Sequence, residues 1–286
     1  RGAAMKVPAW LARLPLPFVP GRPPVVPVLR LAGVIAGANL PLRGPMLNLA
    51  ALAESIDQAF GMRGAKAVAL VVNSPGGSAV QSNLIMRRIR QLAGEKNLPV
   101  IAFVEDAAAS GGYWLALAAD EIYADANSIV GSIGVIAQGF GFDRLIERFG
   151  VERRIHTQGE KKSFLDPFAP EKADDVARLD RAMGLMHEGF KEVVRERRGA
   201  KLAAGETGLF SGEFWTGAEA LKLGLIDGIG DPRSVLRARF GERVRLVPVG
   251  PARSWLKRRL GAEGPGWIDE LWATAEARAL WARIGL

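Results

Sequence analysis

Cysteine is absent from this chain, and histidine occurs only at His156 and His187. Without cysteine, the protein can form no disulfide bond, no thiolate nucleophile and no zinc site with thiolate ligands. Two histidines are also too few for a metal site that depends on several imidazole ligands. We therefore expect no metal site built on thiolates or on several histidines.

Long apolar runs are missing as well. No window of about 18 residues, the length that a membrane-spanning helix requires, is both uncharged and predominantly apolar. The apolar stretch 6–20 contains Arg13 and four prolines, so it predicts neither a signal-peptide core nor a membrane anchor. The net charge is +8, but basic residues do not alternate with aromatic ones on any strand, and we predict no nucleic-acid partner.

Apolar runs that predict strands alternate along the chain with segments of helical periodicity. The predicted strands lie within 23–37 and at 67–72, 99–104, 121–124, 133–136, 151–157 and 243–249; the predicted helices lie at 47–60, 82–93, 111–119, 143–149 and 170–198. The last helix should bury one face, which consists of Val176, Leu179, Met183, Met186, Phe190 and Val193. Such alternation is typical of an α/β domain with a mostly parallel sheet and repeated strand–turn–helix units, where ligands bind at the carboxyl ends of strands.

The segment 105–114 places a serine between a predicted buried strand and a predicted buried helix. Ser110 follows three alanines and precedes Gly111 and Gly112, so no bulky neighbour blocks its hydroxyl group. The free backbone N–H groups at the start of a helix are suited to stabilising an oxyanion. This position suits a nucleophilic serine, and the alternative is a serine whose side chain caps the helix.

A nucleophilic serine needs a base that removes its proton, and the sequence offers two kinds. A Ser-His-Asp triad would use His156, because His187 falls on the long predicted helix, but neither has an obvious acidic partner. A Ser-Lys pair would use Lys161 or Lys162 in the polar loop 158–163, if apolar neighbours keep the lysine neutral. These patterns alone leave the base open, and a solvated loop lysine is the ordinary alternative.

A second glycine-rich turn, at 73–77, follows the predicted strand 67–72. Glycines at the end of a strand allow the backbone to approach a ligand closely, with N–H groups directed at it. This turn is therefore a candidate for completing an oxyanion hole with an N–H group near Ser110. The alternative is a plain connection between strand and helix.

Five segments together resemble the signal peptide peptidase A family of serine-lysine proteases, in its short form with a single repeat. The matching segments are 73–77 (NSPGG), 108–113 (AASGGY) with 118–120 (AAD), 131–136 (GSIGVI), 159–162 (GEKK) and 214–230 (FWTGAEALKLGLIDGIG). The order and spacing of these segments carry the resemblance, which covers residues 25–245 or thereabouts.

The resemblance implies a Clp-protease-like (crotonase-type) fold and assigns roles residue by residue. Ser110 takes the position of the nucleophile, and Lys162 that of the general base, which the family places 52 residues after the serine, as here. Ser132 matches the serine that orients this lysine, and Gly77 and Gly111 match the backbone donors of the oxyanion hole. No metal or cofactor is implied.

The resemblance also implies partners and a location. Members of the family cut hydrophobic peptides, including remnant signal peptides, and form rings in which neighbouring protomers supply the serine and the lysine. We therefore expect peptide substrates, a ring-shaped homo-oligomer with shared sites, and a bacterial protein that is cytoplasmic or peripheral at the inner membrane. We predict an N-terminal extension 1–22, a peptidase domain 23–250 and a tryptophan-rich helical tail 251–286. The composition of the tail suits either contact with a membrane or packing on a neighbouring subunit.

Two other functions are compatible with parts of this pattern. An acyl-coenzyme A enzyme of the crotonase type would use the same paired N–H groups, although the spacing of Ser110 and Lys162 favours the protease. A non-catalytic scaffold associated with a membrane would need neither residue.

Overall fold

The computed structural model describes residues 23–37, 46–203, 208–250, 281, 282 and 284. The strands within these residues are β1 (Val25–Ala32), β2 (Val68–Ser74), β3 (Val100–Ala109), β4 (Glu121–Ala124), β5 (Ile129–Gly131), β6 (Phe214–Thr216), β7 (Gly228–Ile229) and β8 (Arg245–Val249). They form one sheet in the order β6-β5-β3-β2-β1-β8, with β4 paired to both β3 and β7 beside that path. Every pair is parallel except β5–β6. The prediction of an α/β domain with a mostly parallel sheet is confirmed.

Helices cover both faces of this sheet. They are α1 (Leu49–Gly61), α2 (Ala79–Lys96), α3 (Gly111–Ala116), α4 (Asp143–Arg148), α5 (Ala173–Arg198), α6 (Gly217–Lys222) and α7 (Pro232–Phe240). The apolar faces of α1 and α2 pack on one side of β1, β2 and β3, and Leu236 of α7 packs on the other. Because β2 and β3 are covered on both sides, they are apolar along nearly their whole length.

Two of the predicted strands are wrong. The segment 133–136 is not a strand, because the strand β5 lies earlier and Ser132, with φ of 51°, turns the chain out of extended geometry. The segment 151–157 is exposed coil, since no strand in the described part of the chain lies beside it to complete its hydrogen bonds. The long helix α5 is present, but its predicted apolar face is buried only near its C-terminal end, at Phe190.

Residues 135–172, which we call the arm, differ from the rest of the described chain in their exposed surface. They contain one helix, α4, which buries none of its residues. Phe140 and Phe149 are 80% and 77% exposed. The other large apolar side chains that the arm exposes are Ile136, Leu145, Val151, Ile155, Phe164 and Phe168.

Candidate active site

The two glycine turns lie side by side because the strands that carry them are neighbours. β2 and β3 are parallel, and Ser74 is paired with Ala108 near their carboxyl ends. The turn that holds Gly77 therefore lies beside the turn that holds Ser110. This is the edge of the sheet at which α/β domains bind ligands.

Ser110 adopts a backbone conformation that a residue with a side chain rarely takes, with φ of 52° and ψ of −120°. Two hydrogen bonds hold it there: its N–H donates to Gly131 O (2.7 Å), and the Trp114 N–H donates to Ser110 O (3.1 Å). Its side chain makes no capping hydrogen bond to α3, which argues against the capping alternative. A strained backbone that leaves a hydroxyl uncommitted is typical of functional sites.

The glycines beside Ser110 are needed because the backbones approach closely. A Cβ atom on Gly77, where φ is 139°, would lie 2.0 Å from Ile35 O. One on Gly112 would lie 2.3 Å from Ser74 O, so α3 can pack this closely on the end of β2 only with glycine there.

The N–H group of Gly77 is well placed as an oxyanion donor. In the bridge beside it, the Ile35 N–H donates to Gly76 O (2.9 Å) and the Ser78 N–H donates to Ile35 O (2.8 Å), so the Gly77 N–H takes no part. A Cβ atom on Gly111 would lie 3.3 Å from Gly77 N, which shows how near the two residues are. The geometry thus brings Gly77 and Gly111 together next to the Ser110 hydroxyl.

One cleft of about 600 Å³ contains most of the predicted site residues. Its lining includes Ser110, Gly77, Gly111 and Ser132. Ser132 lies close to Ser110 because β5 pairs with the end of β3, and its N–H donates to Glu213 O (2.7 Å). The apolar part of the lining includes Trp114, Met186, Phe190, Phe214 and Ile284. The cleft therefore places the serine side chain beside several apolar side chains.

The predicted lysine does not lie in this cleft. Lys162 is exposed in the arm, where its N–H donates to Gly159 O (3.1 Å). Among the described residues that line the cleft there is neither a lysine nor a histidine. His156 is exposed as well, and His187 Nε2 lies 3.1 Å from Ile133 O. The fold of one chain therefore brings together every predicted site residue except the base.

Three contacts in or beside the cleft carried no signal in the sequence. The Oγ atom of Ser82, which is buried on α2, would lie 2.5 Å from a Cβ atom on Gly111, so it leaves no room for a side chain at Gly111. Trp114 stacks on Phe190 with ring centroids 4.4 Å apart, which joins α3 to α5. Ile284 is buried against Ala107 and Ala109, so part of the predicted tail contributes to the wall.

The remaining predictions about the tail lie outside the described residues, since only positions 281, 282 and 284 of it are described. Within the described ranges, no group of three or more acidic or histidine side chains could hold a metal ion. In the same ranges, no helix has the length and apolar character needed to span a bilayer.

The family model for peptidase family S49 matches residues 93–240, just over half of the chain. The chain belongs to peptidase family S49. The putative protease slr0021 of Synechocystis is 32% identical over 200 residues, which are 67% of this chain and 70% of that protein. The chloroplast serine protease SPPA of Arabidopsis thaliana is 32% identical over 211 residues, 72% of this chain and 30% of that protein. The resemblance to signal peptide peptidase A is thereby confirmed.

A Brucella abortus protein named Na(+)/H(+) antiporter NhaA is 50% identical over 273 residues, or 91% of this chain. The chain spans only 37% of the length of that relative. Most of the antiporter-named protein thus lies outside the match, and the shared part includes the S49 domain.

Proposed function

We propose that this S49 domain is a serine endopeptidase that cleaves hydrophobic or unfolded peptides, such as remnant signal peptides. The observation that carries the proposal is the Ser110 hydroxyl, which makes no capping hydrogen bond to α3 and is held in a strained turn beside Gly77 and Gly111. Apolar side chains of the cleft suit an apolar peptide, and backbone N–H groups suit the oxyanion of acyl transfer.

In the proposed mechanism, Lys162 is the general base and Ser132 orients it. Unprotonated Lys162 takes the proton of Ser110 Oγ, which attacks the peptide carbonyl, while the N–H groups of Gly77 and Gly111 hold the oxyanion. The lysine returns its proton to the leaving amine, and water then hydrolyses the acyl-enzyme. Because a general base must be unprotonated, activity should rise with pH; a flat profile between about pH 6 and 9 would count against lysine.

The proposal also includes a ring-shaped homo-oligomer in which Lys162 serves the Ser110 of a neighbour. Two observations support a shared site: Lys162 lies outside the lining of its own cleft, and the arm around it exposes Phe140 and Phe149. Exposed apolar side chains concentrated in one segment are typical of protein interfaces. Cytoplasmic or peripheral inner-membrane location in a bacterium remains part of the same proposal.

The decisive experiment compares two adjacent lysines. Lys162→Ala should lower peptide hydrolysis by several powers of ten, as Ser110→Ala should, while Lys161→Ala should keep most of it. Loss of peptide hydrolysis in Lys161→Ala alone would assign the role of the base to Lys161. Saturable binding of a coenzyme A thioester, without peptide hydrolysis by the parent protein, would instead favour an acyl-transfer enzyme of the crotonase type.

A mixing experiment tests the shared site. A Lys162→Ala protomer still supplies Ser110, and a Ser110→Ala protomer still supplies Lys162. If the site is shared, the two inactive proteins should regain activity when they are refolded together. If well-mixed oligomers stay inactive, each protomer must contain its own complete site.

A further inference from the structure

An ion pair joins the two coil segments that flank the loop of Lys162. Arg153 Nε lies 3.2 Å from Asp166 Oδ2, and Asp166 Oδ1 accepts a hydrogen bond from the Phe168 N–H (3.1 Å). The Arg153 guanidinium also lies over the Phe168 ring, 5.5 Å from its centroid. We call Arg153, Asp166 and Phe168 the clasp.

The clasp is anchored at its acidic end. The Asp166 side chain is only 9% exposed, whereas the Arg153 side chain is 50% exposed. The Phe168 N–H, and after it the Arg153 guanidinium, lower the pKa of the Asp166 carboxyl, so the pair is charged at neutral pH. The clasp is joined to the start of α4, because the Phe142 N–H donates to Pro167 O (2.6 Å).

A second set of contacts fixes the same loop to α5. Arg178 lies over the Phe164 ring, 4.9 Å from its centroid, and 3.5 Å from the buried Asp175. Asp175 in turn accepts a hydrogen bond from the Leu165 N–H (3.4 Å). Both sets of contacts hold residues 164–168, which lie within six residues of Lys162 on its C-terminal side, and they determine the path of the loop there.

Lys162 itself contributes little to its own placement. The hydrogen bond from its N–H to Gly159 O only closes a local turn, and the side chain is exposed. A base must be held close to hydrogen-bonding distance of the group it deprotonates, and a displacement of about 1 Å can lower a rate 100-fold. The anchors of the loop are therefore the groups that set where the amine can act.

We propose that Arg153 and Asp166 are positioning residues, which hold the loop so that Lys162 reaches the serine. This inference rests on the proposed role of Lys162 as the base. It assigns no contact with the substrate to either clasp residue.

The neighbouring Arg154 provides a matched control. Among the described residues it pairs with Glu152, two positions earlier on the chain (2.6 Å), and its side chain is 75% exposed. Arg153→Ala should lower kcat by roughly 10- to 100-fold and leave KM within about twofold, because the cleft that binds the peptide is unchanged. Arg154→Ala should change neither. Asp166→Asn, which keeps an acceptor for the Phe168 N–H but removes the charge, should lower kcat in the same way by a smaller factor.

Mixed oligomers distinguish positioning from a general structural role. Arg153→Ala placed on the Ser110→Ala chain, which supplies the lysine, should lower the recovered activity by the same roughly 10- to 100-fold. Placed on the Lys162→Ala chain, it should leave the recovered activity unchanged. Equal losses of recovered activity in both arrangements would overturn the inference. So would an Arg153→Ala variant with the same kcat as Arg154→Ala while Lys162→Ala is inactive. If every mixture were inactive, the kcat values of Arg153→Ala and Arg154→Ala alone would decide whether the clasp positions Lys162. If Lys162→Ala were fully active, the proposed function and the inference would fail together.

Discussion

The turns around Ser110 and the arm both contain large apolar residues but use them in opposite ways. Around Ser110, residues such as Tyr113 and Leu115 are fully buried, and backbones touch at the glycines. In the arm, Phe140 and Phe149 face solvent, and the contacts are ion pairs and aromatic stacking. The sheet and its turns are thus stabilised by contacts within one chain, while the arm keeps apolar surface that the rest of the described chain leaves exposed.

The largest expected difference between the two regions is in the effect of removing a phenylalanine. Phe190→Ala should lower the free energy of unfolding by about 3–5 kcal/mol, since it removes a buried ring that stacks on Trp114. Phe149→Ala, measured at a concentration where the chain is monomeric, should change it by less than about 0.5 kcal/mol. Urea denaturation of both variants checks this, and equal effects would remove the distinction.

Glycine substitutions sharpen the same comparison. Gly112→Ala should destabilise the protein by about 1–3 kcal/mol, because the new Cβ atom would meet the Ser74 carbonyl oxygen at 2.3 Å. Gly139→Ala in the arm, where no atom lies within 4 Å of the added Cβ, should be neutral. Thermal unfolding midpoints distinguish the two; a tolerated Gly112→Ala would show that α3 can shift away from β2.

Acid should lower the stability of the sheet region by protonating the carboxylate of Asp227. Burial alone would raise the pKa of this carboxyl, but hydrogen bonds from Arg198 (2.6 Å) and Lys201 (2.7 Å) outweigh it and lower the pKa below the ordinary value of about 4. The stability that the ionised carboxylate contributes is present above pH 4 or so and is lost as pH falls through the lowered pKa.

The measurement is the unfolding midpoint of the parent and of Asp227→Asn from about pH 6 to pH 3. The variant should start less stable and lose less on acidification, because it lacks the group that titrates. Parallel curves for the two proteins would assign the acid sensitivity to other carboxylates, such as Asp120. Burial would raise the pKa of Asp120, but the Val100 N–H and Arg90 help to lower it.

A polar substitution on the arm tests what its apolar surface is for. Phe149→Glu should weaken self-association, seen as a lower mass in sedimentation or light scattering, while the monomer keeps its unfolding midpoint. Val80→Glu, at another exposed apolar position, on α2, is the control and should assemble normally. An unchanged assembly in Phe149→Glu would exclude this part of the arm from the interface.

The smallest effect is expected from the tail. Flotation with anionic liposomes, comparing the full chain with one truncated after Gly250, tests membrane contact by its basic and tryptophan residues. The contact of Ile284 with Ala107 and Ala109 favours packing against protein, so we expect little difference in binding. A clear loss of flotation on truncation would support the membrane contact instead.

The sequence predicts the parts of the site that depend on local geometry. Ser110 and Gly77 each follow an apolar strand, and neighbouring parallel strands bring such turns together. It cannot predict that Ser82 packs beside Gly111 or that Ile284 lines the cleft, because these contacts depend on packing between distant segments. The pattern at 151–157 predicts a strand but does not show whether a neighbouring strand exists to pair with it. Lys162 raises the same difficulty, since its distance from any serine depends on contacts beyond the loop.

The hydrogen bonds at the end of β2 have a consequence for how a peptide binds. Ser74 Oγ donates to Gly33 O (2.6 Å) and accepts from the Gly76 N–H (3.2 Å), which ties the ends of β1 and β2 together beneath the cleft. The backbone around Ser110 is consequently fixed when the domain folds, and little conformational entropy is left to lose when a peptide arrives. An incoming peptide then meets a rigid template, so affinity should depend mainly on how much the peptide itself must straighten.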